Sequence, residues 1–453
     1  MGIMFLFNWE KWRQKSILRR MFDTSLVVGI LTVGIKIALF IKELVIAYHF
    51  GTSDVLDAYL IAYTIPAFAV NLIAGSFNAA LIPTYIQVQE SENRAEVQKL
   101  FSNVVVLSFL LLVFVTLVLG ISAPYILSII GSGFTREKLA LTQNIFYFLL
   151  PTIAITGVTT IWAAVLNASE RFVLSSLVPI LTPLVTVAII IFFGSEWGIY
   201  TLALGTIVGS LFEVMFLGFG LKQQRLSLRP KWYGTNTATK QVITQYLPMI
   251  AGAFLMGSTG IIDQSMATML NSGSVSVLNY GNKIVAAILS TCSTVISIVV
   301  LPYFSKMVAS NNWTGIKSTL MLYAKIVIGI SIPLTIILIY FSDSLVELLY
   351  ERGAFTNEDT RMVANVQAMY FLQIPFYILG IVMVRLISAF KANQILMKGA
   401  IISLILNIVF NYLFMNWMGI AGIALSTSVV YLVSFIYLLS MLLKLLRRTA
   451  GNI

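Results

Sequence analysis

Long, continuous apolar runs dominate this sequence, and polar positions gather in short stretches between them. A helix needs about 20 apolar residues to cross a bilayer, and twelve runs are long enough. Because apolar and polar residues do not alternate, the runs favour helices over the strands of a membrane β-barrel. The pattern predicts an all-α polytopic membrane protein with about 12 transmembrane helices, some kinked or ended by proline. The runs lie at about 24–50, 58–88, 101–130, 139–166, 173–193, 198–220, 240–271, 275–304, 318–341, 361–389, 397–416 and 419–443.

Composition narrows the class of protein further. Of 453 residues, 58% are hydrophobic and 10% are charged, whereas soluble domains carry about 25% charged residues. The single cysteine and single histidine argue against a disulfide framework, a histidine-based metal centre and a Ser–His or Cys–His relay. The sequence holds no phosphate-binding loop of the G-x-x-x-x-G-K type, and its outer loops are short. We therefore expect neither direct ATP drive nor an enzyme such as a membrane glycosyltransferase.

The distribution of Lys and Arg predicts the orientation in the membrane. Of the 29 basic residues, 20 fall in the termini and loops of one side, 4 fall in the loops of the other side, and 5 fall within the runs. Positively charged loops stay in the cytoplasm, so we expect a multi-pass protein of the bacterial inner membrane with both termini cytoplasmic. The net charge of +11 then faces anionic lipid rather than nucleic acid.

Two similar halves can be recognised along the chain. The sequence GIYTLALGT at 198–206 is similar to GIAGIALST at 419–427, at an offset of 221 residues, and LIP at 81–83 is similar to VLP at 300–302, at an offset of 219. Six helices per half give a parallel repeat, which is typical of transporters that alternate access around a central cleft. The predicted segments are a cytoplasmic basic segment at 1–23, six-helix halves at 24–220 and 240–443, a cytoplasmic linker at 221–239 and a cytoplasmic tail at 444–453.

Charged residues inside the apolar runs are candidates for function because they are costly there. Lys36 and Lys42 lie in the first run, and Lys283 lies early in the eighth. Lysines that line a cleft suit a phosphate-bearing substrate, on which ammonium acts as a point charge. The alternative is structural pairing, for instance of Lys36 or Lys42 with Asp57 at the mouth of the second run. Lys42 and Glu43 point about 100° apart on a helix, so we expect no face-to-face pair between them.

A second group of polar residues lies in the C-terminal half. Asp263 is deep in the seventh run, and Asn407 and Asn411 share one face of the eleventh. With Thr427, early in the twelfth run, they predict oxygen ligands for a hard cation. The alternative is that Asn and Thr only bond neighbouring helices. Three further charged residues of the runs are expected near helix ends or in pairs with neighbours: Glu213, Lys325 and Arg385.

Five stretches have a distinctive sequence, namely KELVIA at 42–47, FGTS at 50–53 with DAY at 57–59, FNAALIPTY at 77–85, SVSVLNY at 274–280 and LLYERGAF at 348–355. Together they resemble the MurJ/MviN family of the multidrug/oligosaccharidyl-lipid/polysaccharide exporter superfamily. Members of this family flip lipid-linked glycan precursors, notably lipid II, across the bacterial inner membrane. The resemblance extends over nearly the whole chain and implies the same architecture of two six-helix halves around a cleft.

The resemblance also implies a substrate site, in which this sequence departs from the family. Lysines stand where the family has arginines on the first helix, Asn71 falls at an arginine pair of the second, and Gly75 replaces an acidic residue. An Asp-Arg pair of the eighth helix becomes Asn282-Lys283. The reduced cavity charge weakens the case for lipid II and leaves another polyprenyl-diphosphate-linked sugar open as the substrate. Many relatives have two helices beyond the twelve runs found here, so we expect a polysaccharide-precursor flippase or a compact variant. The implied substrate-binding residues are Lys36, Lys42, Lys283, Asp57, Asn71 and Asn282.

An ion site is implied as well. Some family members bind sodium through an acidic residue of the seventh helix, two residues of the eleventh and a Thr of the twelfth. The matching positions here are Asp263, Asn407, Asn411 and Thr427, with Asn411 in place of an acid. One carboxylate suits a weakly bound monovalent cation, so we expect no cofactor beyond coupling to Na⁺ or H⁺.

The expected function is a flippase for a polyprenyl-diphosphate-linked saccharide, lipid II or a related envelope precursor. The alternatives are a flippase for exopolysaccharide or O-antigen repeat units, a multidrug/cation antiporter of the same superfamily, and a non-transporting scaffold. An antiporter for cationic drugs needs an acidic cavity, which the lysines argue against. We expect the partners to be the lipid-linked saccharide and membrane lipids, and we expect no binding of nucleic acid. We expect the protein to be a monomer that contacts envelope-synthesis proteins.

Overall fold

The computed structural model describes residues 17–450, and within this range the chain forms helices and turns without strands. The helices of the first half are α1 (Ile17–Phe50), α2 (Asp54–Val70), α3 (Ser76–Ser91), α4 (Arg94–Ile130), α5 (Arg136–Leu149), α6 (Pro151–Ala168), α7 (Phe172–Leu177), α8 (Leu181–Trp197) and α9 (Tyr200–Gln223). Those of the second half are α10 (Thr237–Ala267), α11 (Ser274–Ala309), α12 (Trp313–Tyr340), α13 (Ser342–Tyr350), α14 (Asn357–Phe371), α15 (Ile374–Ala389), α16 (Asn393–Met418) and α17 (Ile420–Ala450). A π-helix, Asn71–Gly75, joins α2 to α3, and a 3-10 helix, Val178–Ile180, joins α7 to α8.

Eleven helical segments of the described range are long and apolar enough to cross a membrane. The first predicted run falls in a further helix, the 34-residue α1. The all-α polytopic class is thereby confirmed, and the count agrees with about twelve helices. The fourth and tenth runs are each built from two helices, because Pro151 and Pro375 lie at the starts of α6 and α15. Proline lacks the N–H that continues a helix, so it begins a new one instead.

The ends of equivalent helices have the same backbone geometry in the two halves. Gly198 follows α8 with φ 50° and ψ −130°, and Gly419 follows α16 with φ 59° and ψ −134°. Glu170 after α6 and Lys391 after α15 have φ of 59° and 58°. Both pairs are 221 residues apart, so the internal repeat of the sequence extends to the backbone.

Hydrogen bonds at these ends repeat too. After Glu170 and after Lys391, the next N–H donates to the carbonyl oxygen five positions earlier, at 2.8 Å in the first half and 3.2 Å in the second. This is the Schellman motif, which the backbone forms whatever the side-chain charge. Asn93 and Asn312, 219 residues apart, each accept an N–H three positions later with the side-chain oxygen, at 3.2 and 2.8 Å. Both offsets of the sequence repeat therefore have structural counterparts.

Contacts along the chain define two compact units. Of the described residues, the first unit comprises 17–45, Pro66–Ile121 and Phe148–Ile250, and the second comprises Ile46–Ile65, Ser122–Tyr147 and 251–450. The five boundaries fall inside helices, since α1, α2, α4, α5 and α10 contribute to both units. The predicted division at 221–239 stays a prediction. The predicted segment 1–23 lies mostly outside the described residues, as does the end of the predicted tail 444–453.

In the first unit, the linker between α9 and α10 is docked on α4. The buried Asn103 donates from Nδ2 to the carbonyl oxygen of Gly234 at 2.8 Å and accepts from the N–H of Tyr233 at 2.9 Å. The Ser102 hydroxyl donates to the carbonyl oxygen of Lys231 at 2.7 Å and accepts from its N–H at 2.9 Å. Because side chains of α4 satisfy the linker backbone, the linker is a structured part of this unit.

In the second unit, the loop between α13 and α14 packs on the end of α1. The N–H of Ala354 donates to the carbonyl oxygen of Tyr48 at 2.8 Å. Gly51 has a φ of +53°, and a Cβ at this position would lie 2.4 Å from the Ala354 carbonyl oxygen. Only glycine permits both this backbone conformation and this approach. Phe355 of the same loop is buried, with its ring centroid 5.5 Å from that of Tyr280 in α11.

Candidate functional site

Asp57, in α2, is buried and accepts four hydrogen bonds. The N–H groups of Gly273 and Ser276 donate to it at 2.9 and 2.7 Å, and the Ser276 hydroxyl donates at 2.5 Å. The fourth donor is Lys138, whose Nζ lies 2.9 Å from Asp57 Oδ2. Gly273 and Ser276 belong to the start of α11, so Asp57 caps the N-terminus of a helix 219 residues further along the chain.

Lys138, in the first turn of α5, is the cation of this cluster. Its ammonium contacts Asp54 as well as Asp57, and it lies 4.1 Å from the ring centroid of Phe134. Lys138 is one of the four basic residues that the sequence places in the outer loops, and no local pattern links it to Asp57. The sequence offered two signals for this cluster, the aspartate at the mouth of the second run and the Gly273-Ser274 pair at the start of α11. Substrate binding by Asp57 stays a prediction.

A polar pocket of about 210 Å³ lies in the second unit, among α10, α11 and α14. It brings Lys283, a predicted phosphate ligand, together with Asp263 of the predicted ion site. Gln264 lines this pocket, and its amide oxygen accepts a hydrogen bond from the hydroxyl of Thr64 in α2. The pocket therefore combines an ammonium group, a carboxylate and several amides. Its polar lining residues are Asp263, Gln264, Asn279, Asn282, Lys283 and Tyr370.

The structure brings together the four residues of the predicted ion site. Asn407 and Asn411 donate from Nδ2 to Asp263 Oδ1 at 2.9 and 2.7 Å. The Thr427 hydroxyl donates to Asp263 Oδ2 at 3.3 Å. The carboxylate and both amides are buried. The three helices α10, α16 and α17 therefore bring the four predicted residues together. Binding of a cation by these residues stays a prediction.

The chemistry of this cluster fits a monovalent cation. Asp263 supplies its carboxylate, and the described part of the chain contains no group of three or more His, Cys, Asp or Glu residues that could hold a metal ion. Asn411 Oδ1 is buried and finds no donor among the described residues. Rotation of the Asn407 and Asn411 amides would turn their oxygens toward a cation beside Asp263 and Thr427. The residues present can thus supply an all-oxygen ligand set.

The predicted cavity residues of the first unit lie on α1 and at the π-helix. Lys36 and Lys42 are half-buried on α1, and Asn71 is exposed at the start of the π-helix. Lys42 Nζ lies 3.4 Å from Glu43 Oε1. The expectation that these two neighbours do not pair was wrong, because the flexible four-carbon stem of lysine spans the angle between adjacent positions. Glu43 therefore offsets part of the charge of Lys42.

The other charged residues of the runs differ in their surroundings. Glu213 is buried in α9 and accepts a hydrogen bond from the Thr182 hydroxyl at 2.6 Å, which confirms local pairing. Lys325 is exposed on α12. Arg385 lies in the last turns of α15, near a helix end as expected, and its Nε is buried without a partner in the described range.

The fold and these sites define the chain as an α-helical membrane transport protein with an internal repeat and with charged and polar sites inside its helices. The model of the family described as lipid II flippase MurJ matches residues 46–453. The chain belongs to this family, which confirms the resemblance found in the sequence.

Curated relatives named as probable lipid II flippase MurJ extend over most of the chain. That of Buchnera aphidicola from Acyrthosiphon pisum is 26% identical over 417 residues, which are 91% of this chain and 81% of the relative. That of a Synechocystis species is 27% identical over 451 residues, with coverages of 94% and 81%. These relatives agree with the family match across both halves.

Solved structures share the fold. A lipid II flippase MurJ in an inward closed conformation has a TM-score of 0.79 at 24% identity and covers 94% of this chain and 90% of its own. An inward-facing multidrug resistance MATE family transporter of the MOP superfamily has a TM-score of 0.71 at 14% identity, with coverages of 93% and 99%. The chain therefore shares its fold with both a flippase and a drug transporter, and the family match identifies it as a member of the flippase family.

Proposed function

We propose that this chain moves lipid II, the polyprenyl-diphosphate-linked precursor of peptidoglycan, across the bacterial inner membrane by alternating access. The family match over residues 46–453 supports both the substrate and the transport class. The split of basic residues between the two sides supports cytoplasmic termini. We expect the protein to act as a monomer that contacts envelope-synthesis proteins.

The observation that carries this proposal is the pocket lined by both Lys283 and Asp263. Lys283 supplies a point charge for the diphosphate, and the Asn282 amide can donate to its oxygens. Asp57 contributes through α11, because its cap fixes the first turn of this helix two turns before Lys283. Diphosphate binding by Lys36, Lys42 and Asn71, which belong to the first unit, stays a prediction. The residue count of the site is small, which suits a substrate held mainly by its charge.

A monovalent cation at Asp263 would drive the cycle. Asp263 lines the pocket of Lys283 and also accepts from Asn407, Asn411 and Thr427. Binding of Na⁺ or H⁺ there changes the charge beside Lys283, which links the ion to the diphosphate. Moving one charge through 100 mV supplies about 2.3 kcal/mol, enough to bias a transport equilibrium.

The test is complementation of a bacterial strain depleted of its own lipid II flippase. The gene is supplied as wild type, Lys283→Ala or Lys325→Ala, the last being an exposed membrane lysine that serves as the matched control. Lipid II at the outer face is measured with an impermeant label at equal protein levels. We expect wild type and Lys325→Ala to restore flipping, and Lys283→Ala to flip about tenfold less or worse, because charge-assisted hydrogen bonds contribute roughly 1.5–3 kcal/mol.

Two outcomes would contradict parts of this proposal. Full flipping by Lys283→Ala would remove the lysine from the mechanism and leave the flippase function intact. Failure of well-expressed wild type to flip lipid II would overturn the substrate. It would favour another polyprenyl-diphosphate-linked saccharide, such as an exopolysaccharide repeat unit, in keeping with the reduced cavity charge.

A further inference from the structure

A second polar recess lies in the first unit, where the ends of several helices meet. Its volume is about 400 Å³. Membrane-spanning segments end at Ser91, Ala168 and Gln223 and begin at Arg94, so the recess lies at one edge of the membrane. The charge distribution predicts that this edge is cytoplasmic. Its polar lining includes Tyr85, Glu92, Arg94, Ser169, Arg171 and Gln224.

The second half of the chain provides an internal control for this recess. At the repeat offsets of 219 and 221, the counterparts of Arg94, Ser169 and Arg171 are Trp313, Phe390 and Ala392. Trp313 stacks on Phe390 with ring centroids 5.9 Å apart and planes at 9°, and both rings pack on the apolar core of the second unit. The fold therefore accepts apolar filling at these positions. Of the two halves, only the first has polar side chains at these three positions. Because the fold does not require polar side chains there, we look for a functional reason.

Two side chains that line the recess, Arg94 and Gln224, carry hydrogen-bond donors. Arg94 Nη2 donates to the carbonyl oxygen of Gln224 at 2.6 Å, which fixes the guanidinium in place. A guanidinium has five N–H donors, so this bond leaves others for a ligand. Gln224 Nε2 is buried and meets no acceptor in the described part of the chain. Burial of an unpartnered amide is unfavourable, and an oxygen-rich ligand would satisfy it.

We propose that this recess binds a phosphate group through Arg94, Arg171 and Gln224. The planar fork of arginine matches the geometry of phosphate oxygens. Two arginines against the carboxylate of Glu92 leave the lining with a net positive charge. The position at the membrane edge gives two sources for the phosphate, the headgroup of an anionic phospholipid and a soluble phosphate compound. A bound phosphate bridges the ends of α4, α6 and α9, which is a role separate from lipid II transport.

The test measures binding of two probes to the purified full-length protein in a neutral detergent by native mass spectrometry. The probes are dihexanoyl phosphatidylglycerol and inorganic pyrophosphate, and dihexanoyl phosphatidylcholine controls for the acyl chains. We expect saturable binding of at least one anionic probe to the wild type. Because the pocket of Lys283 is itself proposed to hold a diphosphate, both probes are also measured on Lys283→Ala. Binding of the glycerol lipid alone to that variant identifies a headgroup as the ligand of the recess, and binding of pyrophosphate alone identifies a soluble phosphate compound. The absence of saturable binding by both would overturn the proposal.

Three paired substitutions separate the recess from general surface charge. Arg94→Gln with Arg171→Gln should weaken binding by about tenfold or more. Arg94→Trp with Ser169→Phe introduces residues of the second half and should fill the recess and abolish binding, which provides a second test if the first variant is unstable. Lys222→Gln with Arg229→Gln removes two exposed charges outside the lining and should change affinity by less than about twofold. Equal losses in the first and third variants would show diffuse attraction and contradict a built site.

Discussion

At the residue scale, two buried carboxylates of the second unit face different partners. Asp57 is bonded by the ammonium of Lys138 and by helix N–H groups, whereas Asp263 is bonded by two neutral amides and a hydroxyl. An ionised carboxylate in a region of low dielectric needs a counter-charge. Lys138 provides it for Asp57, which acts as a fixed helix cap. Asp263 has none among these bonded partners, which leaves it suited to an exchangeable cation.

The Asp57 cluster makes a prediction about stability. Asp57 and Asp54 both contact Lys138, but their side chains are 1% and 55% exposed. Loss of one partner of a buried pair costs about 3–5 kcal/mol, whereas an exposed pair contributes at most about 1 kcal/mol. Asp57→Asn should therefore lower the thermal unfolding midpoint in detergent far more than Asp54→Asn. Similar shifts for the two variants would show that burial does not set the strength of this cluster.

The ion site makes a prediction about sodium. Asn411→Asp adds a second carboxylate beside Asp263 and should raise the affinity for Na⁺, because the number of charged ligands sets cation affinity. A ligand at a hundred times its Kd stabilises the folded state by about 2.7 kcal/mol, so the measurement is the unfolding midpoint in NaCl against choline chloride. Asp263→Asn should abolish the sodium-specific shift. Asn416→Asp, exposed on the same helix, is the control, and an equal gain there would contradict a specific site.

At the scale of elements, the end of α1 shows how closely a helix end packs on a loop. The helix bodies are apolar, and many of their large side chains are exposed toward the surroundings. By contrast, the end of α1 and the loop before α14 approach each other closely. A Cβ on Gly51 would lie 2.4 Å from the carbonyl oxygen of Ala354, and a Cβ on Gly353 would lie 2.4 Å from the carbonyl oxygen of Tyr48. A Cβ is therefore excluded at this contact, whereas the body of α1 has room for one at Gly34.

A substitution at Gly51 tests this difference. Gly51→Ala places a Cβ against the Ala354 carbonyl oxygen at a positive φ, which should destabilise the protein by roughly 1–3 kcal/mol or more. Gly34 lies in the interior of α1, where a Cβ would meet no atom within 4 Å. Gly34→Ala should therefore be neutral or stabilising by up to about 1 kcal/mol. The readout is the unfolding midpoint of both purified variants. A neutral Gly51→Ala would mean that the loop does not pack on α1.

At the scale of the whole molecule, the asymmetry of basic residues predicts the orientation, with 20 on one side and 4 on the other. Cysteine labelling tests it in a background where the single cysteine is replaced, Cys292→Ala. An impermeant maleimide should label Arg352→Cys in intact spheroplasts and Arg229→Cys only after permeabilisation. The reverse pattern would place the termini outside and would require the recess of the first unit to face the outer leaflet.

How much of the molecule could be predicted from sequence depended on the range of the interaction. The apolar runs are local patterns, so the spans were predicted correctly. Asn407 and Asn411 form a local i, i+4 pair, but their link to Asp263 and Thr427 is not local and drew its support from the family resemblance. The four residues lie together, and ion binding there stays a prediction. The bond between Asp57 and Lys138 joins residues 81 apart in the sequence and depends on how α5 packs, which no local pattern encodes. The contact of Lys42 with Glu43 depends on side-chain rotamers rather than on helix geometry, and for that reason the sequence led to the wrong expectation.

The boundaries between the two compact units have a mechanical consequence. Three of the five lie within three residues of a proline in the interior of the same helix, namely Pro66, Pro124 or Pro248. Proline removes an intrahelical hydrogen bond and so lowers the bending stiffness of a helix at that point. We therefore expect α2, α4 and α10 to bend more readily at these prolines than elsewhere along their lengths.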